Sequence, residues 1–214
     1  MNLVAITVSA VVAGMAAAAL NPVMRAQFEN QNRLSRSWLQ VPIAVVLGGL
    51  AGFAGSLAQQ VTFVVLAVAA SLLIVIDLSE WRLPDVIVLP LYGVLAIGLT
   101  IAAWIDQSWP ALLSAGIGAA VMFVLFFVMA AFAPDLGFGD VKLAGVVGGF
   151  LGWFGLAESV AGFFFAWALM ALVSVVLLIL RRINTKASLP FGPYLIVGAV
   201  VGVLIGPTML PALA

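Results

Sequence analysis

Long apolar runs separated by short polar stretches follow one another along the whole chain. Divided at charges and turn residues, they form eight segments, at 3–20, 41–58, 61–76, 86–105, 111–131, 141–155, 159–180 and 194–210. A helix that crosses a bilayer takes about 20 mostly apolar residues, within a working range of about 17–25. Two segments, 61–76 and 141–155, are short by this measure, and each has a carboxylate at one end. The pattern predicts an all-α, polytopic transmembrane helix bundle of about eight spans, forming a single domain over residues 1–214.

The charges test this count independently. If eight spans alternate in direction, the loops after the first, third, fifth and seventh share one side. Those loops hold Arg25, Arg33, Arg36, Arg82, Lys142 at the rim, Arg181, Arg182 and Lys186, which is every basic residue of the chain. The opposite side has only Asp106 and Glu158. Lysine and arginine concentrate in cytoplasmic loops, so both termini are expected on the outer side. Merging the spans around Gln59 and Gln60 would leave a run too long for one crossing. The first run has no basic residue ahead of it, unlike a secretory signal, and is expected to stay as a helix although the alanines at 16–19 imitate a cleavage site.

Composition agrees with a bilayer as solvent. The chain is 65% hydrophobic and 7% charged, with a mean hydropathy of +1.31, whereas soluble domains carry about 25% charged residues. Zero formal net charge and a pI near 6.1 suggest no nucleic-acid partner. Cysteine and histidine are both absent. That excludes disulfides, thiolate sites, serine–histidine triads and histidine-based zinc proteases. Chemistry is left to carboxylates, hydroxyls, amines and backbone. Gly48/Gly52, Gly145/Gly149 and Gly148/Gly152 have the four-residue spacing that lets helices approach closely, and packing is their expected role. The loop at 22–40 is the longest polar stretch and has no room for a folded domain.

Six acids fall on the basic side: Glu29, Asp77, Glu80, Asp85, Asp135 and Asp140. Glu29, Glu80 and Asp135 read as solvated charges. Asp85 follows Pro84 and opens a helix, where a carboxylate caps exposed amides and meets the positive end of the dipole. Asp77 follows the apolar run 72–76 where a helix leaves the bilayer, and Asp140 follows Gly137-Phe138-Gly139 at the start of a short helix. Ionisable groups at membrane depth are costly and are functional candidates by default; capping is the bland alternative for both. If the two meet, like charge and desolvation favour one shared proton. One carboxylate then takes a proton from water while the other holds a proton on a scissile carbonyl. Gly137 and Gly139 would let a substrate strand come near. Lys142 either snorkels to the interface or biases Asp140 electrostatically.

Three segments resemble the motifs of type IV prepilin peptidases. Asp77 followed by Leu83-Pro84-Asp85 is similar to their first, Gly137-Phe138-Gly139-Asp140-Val141-Lys142-Leu143 to their G-x-G-D-x-K-L, and Pro190-Phe191-Gly192-Pro193-Tyr194 to a segment before their last helix. The resemblance covers roughly residues 72–206. It implies a membrane aspartic endopeptidase with Asp77 and Asp140 catalytic and with Gly137, Gly139, Lys142, Pro84 and Asp85 in support. Pro190, Phe191, Gly192 and Pro193 are weak substrate-binding candidates. It further implies removal of the short basic leader of prepilin or pseudopilin precursors, at the cytoplasmic face of the cell membrane, after a glycine and just before the precursor's hydrophobic helix. Presenilin-like proteases share G-x-G-D, but their Tyr-Asp motif is not matched by Ile76-Asp77.

The chain departs from longer members of that family, which carry a cytoplasmic insertion with paired cysteines and often N-methylate the product. It resembles short forms, and peptidase activity alone is expected, with Ala19-Leu20-Asn21-Pro22-Val23 at most a worn version of the family's segment. No cofactor and no metal are expected, since two carboxylates without histidine make a poor site. The expected partners are the precursor and membrane lipid. An ion-coupled transporter using paired acids is the rival from another class; the shortage of polar residues at mid-span and the clustering of acids at one face count against it. A purely structural membrane subunit is the second rival.

Overall fold

A computed structural model describes residues 3–29, 33–133, 136–182 and 189–213. Among the described residues the chain forms helices and no strand. In hydrocarbon, backbone N–H and C=O groups have no water to bond, and an α-helix satisfies them within the segment. The helices are α1 (Leu3–Ala19), α2 (Asn21–Arg25), α3 (Gln40–Ala51), α4 (Leu57–Glu80) and α5 (Asp85–Asp106), then α6 (Trp109–Phe132), α7 (Phe138–Phe154), α8 (Leu156–Ile179) and α9 (Gly192–Met209). Five of them, α4, α5, α6, α8 and α9, are long and apolar enough to cross a membrane. The protein is a helical, multi-pass membrane protein.

Helix ends differ from the predicted segments in ways with local causes. The segment expected at 41–58 is helical only to Ala51. Gly52 begins a turn, and Ser56, in extended conformation, caps α4 by accepting from the Gln59 amide at 3.4 Å. The segment expected at 61–76 is the middle of the 24-residue α4. Gln59 and Gln60 do not interrupt it, because glutamine is a good helix former. At its other end α4 continues past Asp77 and stops at Trp81, whose left-handed backbone (φ 57°) breaks the ladder. A short helix, α2, forms at the start of the predicted loop 22–40, with Pro22 in its first turn.

The chain divides into two compact units, Met1–Leu112 and Leu113–Ala214. In the first, α1 packs on α3 and α4, and α4 packs on α5. Ala13, Ala17, Ala44 and Val68 form a buried cluster there. A Cβ on Gly48 would meet the Ser9 carbonyl at 2.9 Å, and one on Gly52 would meet the Ile6 amide nitrogen at 2.8 Å. The expected packing role of this glycine pair is thus realised between α1 and α3. At the α4–α5 end, Asp106 Oδ2 accepts from Ser56 Oγ (2.7 Å) and Gln59 Nε2 (2.9 Å).

In the second unit α9 packs along α8, and α7 lies against both. The α8–α9 contact is backbone on backbone. A Cβ at Gly198 would stand 2.6 Å from the Ala166 nitrogen, at Gly202 2.6 Å from the Glu158 carbonyl, and at Gly206 2.8 Å from Glu158 Cα. Gly148 and Gly152 play the same part against α6, at Met122 and at Ser114 and Ala115. Membrane helices associate through this kind of close van der Waals fit, because lipid supplies no hydrophobic drive between them.

Gly198→Ala should force α8 and α9 apart and destabilise the unit by roughly 1–3 kcal/mol, the usual cost of overpacking. At Gly93, by contrast, a Cβ meets nothing within 4 Å, so Gly93→Ala should be neutral or stabilising by up to about 1 kcal/mol. Thermal unfolding of both variants in detergent, side by side, checks the pair.

Candidate active site

The two singled-out aspartates lie in different units, and each is held by its own local structure. Asp77 stands one turn before the end of α4, and its side chain is buried, with the residue 3% exposed. The helix runs on through Asp77 instead of ending before it, with Leu78, Ser79 and Glu80 following before the chain turns. The Trp81 amide donates to the Asp77 carbonyl at 3.0 Å, which closes the last turn. Left-handed Trp81, exposed Arg82 and buried Leu83 then lead to Pro84, whose extended backbone (φ −70°, ψ 131°) precedes α5. Asp85 is exposed in the first turn of α5, as expected of a residue opening that helix.

Arg82 ties this turn to the loop after α2. Its Nη1 pairs with Glu29 Oε1 at 2.6 Å and its Nη2 donates to the Gln27 carbonyl at 2.8 Å. Glu29 is exposed as expected, but it is engaged rather than merely solvated. Both side chains face water, so the pair adds little stability; its effect is to hold two loops together. Nearby, Arg25 lies over the Trp38 ring, 5.8 Å from its centroid.

Asp140 is the third residue of α7. Gly137, extended at φ −70° and ψ 148°, is the N-cap, and its amide donates to Asp140 Oδ2 at 3.2 Å. Capping, the bland expectation for Asp140, is therefore real, but it engages one oxygen only. Oδ1 is buried with no hydrogen-bond partner among the described residues. A buried acceptor with no partner is costly unless it is protonated or reserved for a ligand. Asp140 precedes the predicted segment 141–155, and α7 is not among the five candidate crossings. Burial raises its carboxyl to about 6, against the lowering pull of the Gly137 amide. Lys142 Nζ lies 5.0 Å above the Phe138 ring, which seats the side chain on the first turn of α7. Gly137, Gly139, Asp140 and Lys142 are thus gathered at one helix start.

The segment Pro190–Pro193 is placed by aromatic packing. Phe191 is 3% exposed, with its ring 4.9 Å from Trp167 and 5.6 Å from Phe126. Gly192 and Pro193 are buried and begin α9. Phe126 and Trp167 lie in the middle of apolar runs, where nothing in the sequence distinguished them. Asp135 and Lys186 lie outside the described residues. Among the described residues, no group of three or more acids is arranged to hold a metal.

The two acids belong to a helical membrane protein, one near the end of a long helix and one at the start of another. The model of the type IV leader peptidase family matches residues 63–180, more than half of the chain and including both aspartates. The chain belongs to that family. It is 31% identical over 135 residues to a prepilin leader peptidase/N-methyltransferase of Pseudomonas aeruginosa, covering 61% of this chain and 44% of the relative. A protein of the same description from Aeromonas hydrophila is 29% identical over 179 residues, covering 80% of this chain and 56% of the relative. Another, from Aeromonas salmonicida, is 30% identical over 142 residues, covering 63% and 45%. The chain spans about half the length of the curated relatives it matches. No solved structure matches.

Infrared difference spectra of the protonated carboxyl band should show a group that gains its proton as pH falls through about 6. Asp140→Asn should remove that component. An ordinary carboxyl, titrating near 4, would change only at lower pH.

Proposed function

We propose that the chain is an aspartic endopeptidase that removes the short basic leader from prepilin-like precursors at the cytoplasmic face of the cell membrane. Asp77 and Asp140 act as a pair. One ionised carboxylate takes a proton from the attacking water, and the protonated one donates to the carbonyl oxygen of the scissile peptide. The gem-diol so formed then collapses, returning protons to the leaving amine and the pair. Asp140 suits the protonated partner, since its raised pKa keeps the proton at pH values where most carboxylates have lost it. The observation that carries the proposal is its buried, unpartnered Oδ1, next to a Gly137 amide that fixes the other oxygen.

Family membership and the names of the relatives support the leader-peptidase activity. Those relatives are also named as N-methyltransferases. We assign this chain the peptidase step alone, because it lacks the paired cysteines of the longer members. Pro84 and Asp85 support the Asp77 turn, and Gly137, Gly139 and Lys142 shape the Asp140 turn. The eight-span arrangement with outer termini, supported by the one-sided placement of every basic residue, directs both aspartates to the cytoplasm.

Asp77→Asn and Asp140→Asn should each abolish conversion of a prepilin to its shorter form in detergent. Asparagine can still accept from the Gly137 amide, so Asp140→Asn should keep the cap and the unfolding temperature of the parent. Processing by either variant rejects the paired mechanism. A chelator should leave cleavage by the parent unchanged, and inhibition reversed by a divalent metal would replace the mechanism with a metal-dependent one.

A further inference from the structure

Gly162 on α8 marks a level at which three helices of the second unit meet. A Cβ added there would stand 2.7 Å from Leu151 Cδ1 on α7 and 3.4 Å from the Gly198 carbonyl on α9. One at Gly202 would stand 2.6 Å from the Gly162 nitrogen, so α9 passes Gly162 between Gly198 and Gly202. From this level α7 and α9 both run back to their starts. Asp140 lies eleven residues before Leu151, roughly 16 Å along the axis and, at about 3.6 residues per turn, on the same face. Ala144 and Val147, also on that face, are buried. Phe191 lies seven residues before Gly198, again on the same face, and roughly 13 Å back from the crossing. The two residues therefore stand within about one turn of a common level, on faces of α7 and α9 that turn toward α8.

Resting on the peptidase reading, we propose that Phe126 and Trp167 are positioning residues, which hold the Phe191 ring and so set the first turn of α9 as a wall of the site beside Asp140. Neither belongs to a motif. Their ring centroids lie 5.6 and 4.9 Å from that of Phe191. The glycines at 198, 202 and 206 bring α9 onto α8, but a row of missing side chains offers little resistance to sliding along the axis. A ring packed against two others at the helix start supplies the stop. Gly192 and Pro193, which follow it, are buried, so the wall is fixed backbone rather than a loose side chain. Misplacement by about 1 Å, even from a change far from the chemistry, can cost about a hundredfold in rate. Trp167 contributes its ring rather than a hydrogen bond, because its Nε1 is buried without a partner among the described residues.

Processing of a prepilin by the full chain, with unfolding temperatures measured alongside, tests the roles. Phe126→Leu and Trp167→Leu should each lower kcat about tenfold or more, with KM held within about twofold. Phe163 supplies the control: its ring lies 6.3 Å from Phe126 and 6.4 Å from Trp167, with no ring contact to Phe191 among the described residues. Phe163→Leu should lower the unfolding temperature and leave kcat unchanged. Trp167→Phe keeps a ring and removes the unpartnered N–H, so it should retain kcat and raise the unfolding temperature. In a Phe191→Leu background, Trp167→Leu should cost nothing further, because both act through one ring. A fall in kcat no larger than that of Phe163→Leu, loss of activity in Trp167→Phe, or losses that multiply with Phe191→Leu would overturn the proposal. Because the chain has no cysteine, a second readout is independent of activity. Nitroxides on Phe138→Cys and Leu189→Cys, probed in a bilayer with oxygen and a water-soluble nickel chelate, should report depths within about one helical pitch of each other. The Leu189 label should shift in Trp167→Leu, and an unmoved label rejects the positioning role. Equal depths without processing by the parent reject the peptidase reading and keep the arrangement of α9; processing with unequal depths rejects the arrangement alone.

Discussion

A solvent that cannot form hydrogen bonds governs this molecule. Each polar group carried into the apolar interior must bring a partner or pay the full desolvation cost. Hydroxyls in the helices meet this demand locally: Thr62 Oγ1 donates to the Ala58 carbonyl and Ser71 Oγ to the Val68 carbonyl, both at 2.7 Å. Asp106 meets it across the chain, through Ser56 and Gln59. Against that background an open buried acceptor is costly, and Asp140 has one. Glu158 Oε2 and the Gln40 amide are also buried without partners among the described residues. Asp140 combines this state with the Gly-x-Gly-Asp motif at the start of α7.

The same solvent explains the glycines. With no water to expel between helices, contact must come from close fit, and backbones approach only where a side chain is missing. Gly48 and Gly52 bring α3 onto α1, and Gly198, Gly202 and Gly206 bring α9 onto α8. Fixing α9 in this way also positions its first residues, where Phe191 inserts between Phe126 and Trp167. The aromatic contacts and the glycine row therefore both help to position α9.

Each aspartate depends on how its helix ends. The left-handed turn at Trp81 and the extended backbone of Pro84 reverse the chain after α4 and start α5 within a few residues. At Gly137 the extended cap turns the chain into α7 so that Asp140 occupies the third position, where a carboxylate reaches back to the cap amide. Both are short-range devices, made of residue types with strong local preferences: proline before a helix start, glycine at a cap.

Short-range order of this kind was legible without coordinates. The apolar periods and the one-sided basic residues gave the helical membrane class, and the motif spacing singled out Asp77 and Asp140 together with the Pro84-Asp85 helix start. Hydropathy averages over a window, however, and does not register a cap. It therefore ran α3 on past Ala51 and stopped α4 short at Ile76, whereas hydrogen bonding carries the helix on to Glu80. Glu29 read as a solvated charge because Arg82 lies 53 residues away in sequence. Phe126 and Trp167 could not be told from neighbouring apolar residues, since their importance comes from a third ring brought in by another helix. The sequence by itself determined the solvent this chain occupies and singled out two acids as candidates for chemistry, because hydropathy and motif spacing are local properties of the chain. Which oxygen of Asp140 is left open, and which side chains hold the turns around the acids, was decided only by the tertiary structure, because burial and pairing arise between segments distant in sequence.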